Sequence, residues 1–452
     1  MPQMESGVIR RLPGVFEEVK PPLSDREAVL EAERCLECGS PHMPAPCLRA
    51  CPADVNVPGF VGAIALGQPG RAAQIIWQEN LLGGTCARVC PTEILCEGHC
   101  VLMHEGRRPV DIGRLQRYAT DYGLHEGIPL RHPVALTKPP VAVIGAGPAG
   151  LAAAGELASR GFRVTVFEMR PEPGGLVRFA IAPYRQNIEP IPEEVGALEK
   201  LGVEFRFSHP IDTPEKLKEI EAHYAAIVLG VGLGKDVEVK YEGDQLEGVW
   251  DSLPFIEALK TGKPVKVGER VAVIGGGNTA MDVAREALRL GALEVTVLYR
   301  RTEAEMPAFP HEVQEAREEG VHFQWLTLPL RFLGRHRLEA IECQYMKLGD
   351  PDESGRRKPV AVPGTEFKVP AETVIKAIGQ RPRIEFLRWI EGLEVQEGKI
   401  QVNPKTGQTG NEQYFAAGDA VGGATVVEAV QGAKRVARGI EHYLAARAEV
   451  VT

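Results

Sequence analysis

Two stretches of the chain repeat one pattern, 130 residues apart: VAVIGAGPAGLAAAGELASRGFRVTVFE from Val141 and VAVIGGGNTAMDVAREALRLGALEVTVLYRR from Val271. Each reads as an apolar strand, a glycine turn, a helix and a second strand, the unit that binds dinucleotides. In the first, Gly145, Gly147 and Gly150 form G-x-G-x-x-G around Pro148 and Ala149. The first glycine permits the tight turn, the second lets a pyrophosphate approach the backbone, and the third lets helix and strand pack closely. The helix N-terminus then offers N–H groups and a positive dipole end to the phosphates. Glu168 ends the second strand, 23 residues after Gly145, where an acid suits a ribose hydroxyl pair.

The second unit carries Gly275, Gly276 and Gly277, then Asn278 and Thr279, with Ala280 in the third glycine's place. Alanine is tolerated there. No acid ends its second strand. Tyr299, Arg300 and Arg301 stand there instead, and two guanidinium groups suit a 2′-phosphate that an acid would repel. NADPH is therefore expected over NADH. The competing reading is that one arginine merely pairs with Glu303 or Glu305 on the surface.

Two nucleotide sites in one chain imply two dinucleotides. The second takes the soluble one, which leaves the first for a resident FAD. Phe415–Asp419 (FAAGD) supports this: a turn of small residues after a strand brings Gly418 and Asp419 toward the flavin's ribityl–phosphate arm, with Thr425 following. Gly379, after the strand-like ETVIKA, joins the candidate cofactor residues. The second unit reads as inserted into the first. The expected domains are 1–138 (helical), 139–250 and 376–452 (FAD-binding), and 251–375 (NADPH-binding).

A length of 452 residues allows two to four domains. A net charge of -9 without a long basic run argues against nucleic acid as a partner. No run of eighteen apolar residues predicts a membrane span, and the opening MPQMESGVIRRLPG lacks the apolar centre of a secretion signal, so the cytoplasm is expected. Eight of nine cysteines lie between Cys35 and Cys100, a density that in a reducing compartment points to metal. They form Cys35-x2-Cys38-x8-Cys47-x3-Cys51-Pro and Cys86-x3-Cys90-Pro-x4-Cys96-x3-Cys100. Zinc sites favour paired CxxC knuckles, whereas Cys-Pro closing a run is a ferredoxin habit in which the last cysteine serves the other cluster. Iron–sulfur is therefore expected, and redox-silent zinc has no use beside a flavin.

The motifs GAGPAG, GGGNTA and AAGD resemble the two-dinucleotide flavoprotein disulfide reductases. That type carries a redox CxxC beside the flavin, but no cysteine lies between Val101 and Glu342 here, so electrons must leave another way. With GGTCARVCPTEILCEGHC and RPVDIGRLQRYATDY added, nearly the whole chain resembles the glutamate synthase small subunit, its relatives in bifurcating transhydrogenases and the N-terminal half of dihydropyrimidine dehydrogenase. It looks most similar to the NAD(P)-oxidising subunit of the bacterial dihydropyrimidine dehydrogenases. The fold implied is α/β, two Rossmann-like domains preceded by an α-helical domain with two [4Fe–4S] clusters. The resemblance implies that Cys51, Cys90, Cys96 and Cys100 hold one cluster, and that Cys35, Cys38 and Cys47 hold the other with Gln116. Cys86 would then be a buried non-ligand; the alternative makes it the fourth ligand instead of Gln116. Gly175, Leu176 and Arg185 match flavin-contacting positions, although GGLVRFAIAPYRQ departs from the family's usual GGL-x-x-x-GIPxFRLP.

Other residues have plainer roles. Cys343 reads as core, His42 and His99 are not needed as ligands, and His311 lies near the nicotinamide or at an exposed helix start. Trp77, Trp250, Trp325 and Trp389 read as packing residues. The expected reaction takes hydride from NADPH onto FAD and passes single electrons through the clusters. No side chain is expected to act as an acid or base. The acceptor is expected to be a separate protein subunit or a ferredoxin, first of all a pyrimidine-reducing subunit.

Overall fold

The computed structural model describes residues 17–40, 43–187, 190–352, 355–381 and 384–451. The opening segment discussed above and His42 lie outside the described residues. The chain divides into two compact units: one of Lys20–Arg178, Ile188–Gly234 and Arg381–Thr452, the other of Met1–Val19, Phe179–Asn187 and Lys235–Gln380.

The larger unit opens with short helices. Ser24 caps the Asp25–Ala32 helix in a reciprocal box with Glu27. The helices Val57–Ala65, Pro69–Glu79 and Ile112–His125 surround the fully buried Trp77. Gly123 lets this happen, because a side chain there would collide with the indole ring. The helices lead into a parallel sheet in the order Tyr414–Ala416, Ala226–Leu229, Lys138–Ile144, Phe162–Phe167, Glu204–Arg206. The strand that leads to the first glycine turn begins at Lys138. One apolar cluster gathers Ile144, Phe167, Ile227, Leu229, Tyr414 and Ile400, so the sequence-distant last segment completes the first sheet.

The smaller unit repeats the plan. Its parallel sheet runs Val249–Asp251, Thr373–Lys376, Arg270–Ile274, Glu294–Leu298, His322–Gln324. The glycine-turn strand is central in both sheets, which is the duplication read from the sequence. An antiparallel sheet of Thr327–Leu333, Ala340–Pro351 and Arg357–Pro370 is added, and the fully buried Cys343 packs in its core. Trp389, expected to pack, is 37% exposed. Among the described residues no helix is long and apolar enough to cross a membrane.

Candidate cofactor sites and iron–sulfur centre

The first glycine turn is built as its residues require. Gly145 has φ +101°, and a Cβ there would sit 2.6 Å from Gly230 O. A Cβ on Gly150 would fall inside the Gly145 carbonyl oxygen. Gly147 is the N-cap of the Pro148–Ala158 helix, so the free N–H groups of that helix face the turn. Three distant residues meet here. Glu168 accepts from Ala146 N at 2.7 Å, Gly175 lies on Gly147, and Gly418 packs on Ala149. Leu176 follows Gly175 at the start of a short helix. Burial, and then the charge of Glu428, push Asp419 up to about 6. Thr425 and Glu428 together cap the final helix. A phosphate-bearing dinucleotide fits this cradle: it is shaped by glycines, headed by a helix N-terminus and flanked by a carboxylate.

Arg185 behaves differently. It belongs to the other unit, where it pairs with Asp282 at 2.6 Å and with Glu312. Tyr184 donates to the same Asp282 at 2.7 Å, and its ring lies under the guanidinium groups of Arg285 and Arg289. Arg185 is thus assigned to a different unit from the glycines with which the sequence groups it.

In the second turn Gly275 has φ +143° and leaves no room for a side chain beside Ala377 O. Gly277 caps the Asn278–Arg289 helix, which also carries Thr279, and Asn278 Oδ1 accepts from Phe309 N at 2.8 Å. The ring of Tyr299 covers Gly276, so close that a Cβ there would lie 2.5 Å from it. Tyr299 occupies the place that Glu168 has in the first unit, a role not foreseen. Gly379 (φ +113°) accepts from Val237 N. His311 stacks on Phe309 at 5.7 Å. Arg300 is exposed, whereas Arg301 is buried and bonded to Asp352 Oδ2 at 2.7 Å and Arg357 O at 2.9 Å. Neither arginine pairs with Glu303 or Glu305: Arg317 takes the first, and Thr302 bonds the second.

One cavity brings Cys100, which the resemblance groups with Cys51, Cys90 and Cys96, beside the cysteines of the other set. A cavity of about 30 Å³ is lined by Cys35, Cys38, Cys47 and Cys100, with Val57, Val61 and Leu102 among its apolar walls. Gln116 does not line it. Cys51 instead interacts with Cys86, and Cys90 with Cys86, Cys96 and Cys51. Cys96 interacts with both Cys51 and Cys47, so the two sets adjoin, and Cys100 faces Cys35 and Cys47. The ferredoxin-like Cys-Pro signal points to an exchange for Cys51 alone. Gln116 donates from Nε2 to Gly83 O at 2.8 Å, at the head of the helix that carries Cys86. An amide held by its nitrogen has only its oxygen left as a ligand atom. His99 lines the cavity but hydrogen-bonds Leu95 O at 2.7 Å.

The donor sets suit clusters. Burial, then repulsion from Cys35, pushes the Cys47 thiol up to about 12. A hydrogen bond donated by its thiol to Cys86, then burial, raises Cys90 well above its usual range. Thiolates disfavoured in this way need a compensating cationic core, which bound iron provides. Among the described residues no three His, Cys, Asp or Glu side chains close on a single ion. A body of four irons and four sulfides holds its ligands further apart than one zinc does.

Two buried charges tie the cysteine loops to the sheet of their own unit. Lys434, on the final helix, reaches Ala53 O at 3.0 Å, two residues past Cys51, and pairs with Glu79. Glu194 accepts from Gly84 N at 2.9 Å, Thr85 N at 3.0 Å and Thr85 Oγ1 at 2.6 Å, capping the helix that precedes Cys90. Burial outweighs these donors and raises Glu194 to about 7. The folded chain therefore binds more protons than the unfolded chain between about pH 4.5 and 7. Stability from this group is complete below that window and is lost as pH rises through it, by about 3 kcal/mol in all. Glu194→Gln keeps the acceptor and is expected to flatten the fall in Tm between pH 5 and 8. An unchanged pH slope in thermal unfolding would contradict this.

Residues 13–128 match the family described as dihydropyrimidine dehydrogenase domain II, 4Fe-4S cluster, and residues 139–448 match pyridine nucleotide-disulphide oxidoreductase. The glutamate synthase [NADPH] small chain of Halomonas elongata is 38% identical over 448 residues, which cover 95% of this chain and 93% of that one. The chain belongs to this family. It is an FAD-dependent NAD(P)H oxidoreductase with a 4Fe–4S domain. The Escherichia coli glutamate synthase small chain is 36% identical, with 95% and 94% covered. The NADP(+)-dependent formate dehydrogenase subunit beta of Moorella thermoacetica is 38% identical, but the chain spans only 60% of it. Among solved structures, FprA of Mycobacterium tuberculosis in complex with NADPH has a TM-score of 0.59 at 21% identity, covering 69% of this chain and 86% of that one. Lactococcus lactis thioredoxin reductase has 0.53 at 20%, covering 68% and 100%. Both show the fold alone.

Proposed function

We propose that this family member is an NADPH-oxidising electron-transfer subunit with FAD and two [4Fe–4S] clusters, and that it delivers electrons to a separate acceptor subunit or a ferredoxin. The observation that carries this is the co-occurrence in one chain of two glycine turns, one with an acid and one with arginines at the strand end, and eight paired-off cysteines. When bound, FAD accepts a hydride pair and releases electrons singly, and the clusters relay them. Gly145, Gly147, Pro148, Ala149, Gly150, Glu168, Gly175, Leu176, Gly418, Asp419 and Thr425 would hold FAD. Gly275, Gly276, Gly277, Asn278, Thr279, Arg300, Arg301 and Gly379 would serve NADPH. Cys35, Cys38, Cys47 and Cys100 would hold one cluster. Cys51, Cys90 and Cys96 would hold the other, completed by Cys86 or Gln116. Arg185 keeps its ion pairs on this reading and acts on the flavin only if they open.

Two acceptors are favoured by specific observations. Full-length likeness to glutamate synthase small chains favours a glutamate synthase large subunit. Gln116, where the glutamate synthase pattern has an acid, favours a pyrimidine-reducing subunit. Affinity capture from the native cell and identification of the bound subunit decides between them, and recovery of neither removes both. Turnover itself is tested by NADPH-driven dye reduction with the isolated protein; no reduction would overturn the reading. Cys86→Ala and Gln116→Cys distinguish the fourth ligand. If Gln116 is the ligand, the first keeps both clusters and the second shifts one reduction potential. Loss of about half the iron in Cys86→Ala would instead assign Cys86.

A further inference from the structure

We infer that Arg300 alone reads the 2′-phosphate of NADPH, and that Arg301 is a positioning residue whose guanidinium is held by Asp352 and by the backbone carbonyl of Arg357. This rests on the NADPH reading above and divides the work between two arginines that the sequence presents as a pair.

In the first unit the residue after the second strand, Glu168, turns back to the glycine turn and bonds Ala146 N. In the second unit the registers Ile144↔Phe167 and Ile274↔Leu298 make Tyr299 its counterpart. The Tyr299 ring covers Gly276, and its hydroxyl donates to Glu305 O at 2.9 Å. The side chain that follows, Arg300, is exposed and makes no hydrogen bond or ion pair among the described residues. Its guanidinium has its donors available for a phosphate beside the turn.

Arg301 differs on every count. It is 5% exposed, and Nε and Nη2 are engaged by Arg357 O and Asp352. Its own carbonyl accepts from Leu326 N at 3.1 Å. To reach a phosphate it would have to leave a buried carboxylate contact and a backbone oxygen, both of which would lose their partner. Instead, it pins the antiparallel hairpin to the end of the Glu294–Leu298 strand and so fixes the backbone from which Arg300 projects.

The test is steady-state dye reduction by the full holoprotein with NADPH and with NADH. Arg300→Gln is expected to raise the KM for NADPH by about 10- to 100-fold, the loss of a charge-assisted contact, while the KM for NADH moves less than about twofold. Arg301→Gln and Asp352→Asn are expected to lower Tm and shift both KM values together, keeping the NADPH-to-NADH ratio of kcat/KM within about threefold. Asp352→Asn also covers the case in which Arg301→Gln does not fold. If Arg301 read the phosphate, releasing it from Asp352 would raise the ratio, and that result would overturn the assignment. So would a ratio that collapses in Arg301→Gln and survives in Arg300→Gln. Equal kcat/KM for the two nucleotides in the wild type would instead overturn the NADPH reading itself.

Discussion

Cys47→Ser, Cys100→Ser and the two together are expected to give one phenotype: iron falls from about eight to about four per chain, and the double variant loses no more than either single one. The reason is the shared cavity. Cys47 and Cys100 both line it, although they come from different cysteine runs. Pairing Cys47→Ser with Cys96→Ser crosses the two groups and should strip almost all of the iron. FAD content should stay intact in all of these variants, since the flavin cradle uses no cysteine, while transfer to a one-electron acceptor falls to the rate of direct flavin reoxidation. Iron and sulfide analysis with low-temperature electron paramagnetic resonance of the reduced protein provides the check. If Cys47→Ser/Cys100→Ser strips almost all of the iron, as Cys47→Ser/Cys96→Ser does, the partition is that of the sequence reading and not of the fold.

Gly150→Val is expected to leave a chain without bound flavin. Even the first carbon of a side chain at 150 would overlap the Gly145 carbonyl oxygen, and Gly230 stands so close behind that its own Cβ would be 2.9 Å from Gly150 Cα. Neither neighbour is the flexible end of a side chain, so the helix must move off the strand. Overpacking of this kind costs about 1–3 kcal/mol and sometimes more. The loss of a tightly held ligand adds to it, because bound FAD stabilises the folded state by an amount that grows with the logarithm of free FAD relative to its Kd. The ratio of flavin to protein absorbance should fall below about a tenth of the wild-type value, with a lower Tm and no NADPH oxidation. A yellow, active Gly150→Val protein would show that close packing at the turn is not what holds the cofactor.

What the sequence made legible is whatever local sterics decide. The glycine turns rest largely on contacts within a few residues of themselves, as with Gly150 against the Gly145 carbonyl, and so both nucleotide units were readable. What escaped depends on contacts between segments far apart in the chain. Cys100 crosses to the Cys35 cavity because the loop around Cys96 and Cys100 faces both groups, and spacing alone does not say which way each thiol turns. Arg301 looks like a phosphate ligand until a hairpin about fifty residues later supplies Asp352. Arg185 sits in a segment, Phe179–Asn187, that leaves one unit to join the other and returns, and no local signal marks such an excursion.

The central claim, two nucleotide pockets and two thiolate-bound clusters in one chain, is tested most directly by composition. Protein purified without oxygen should contain about one FAD, eight irons and eight acid-labile sulfides per chain, with the visible bands bleached by NADPH. A colourless protein with neither flavin nor sulfide, or one that holds zinc in place of iron, would contradict it.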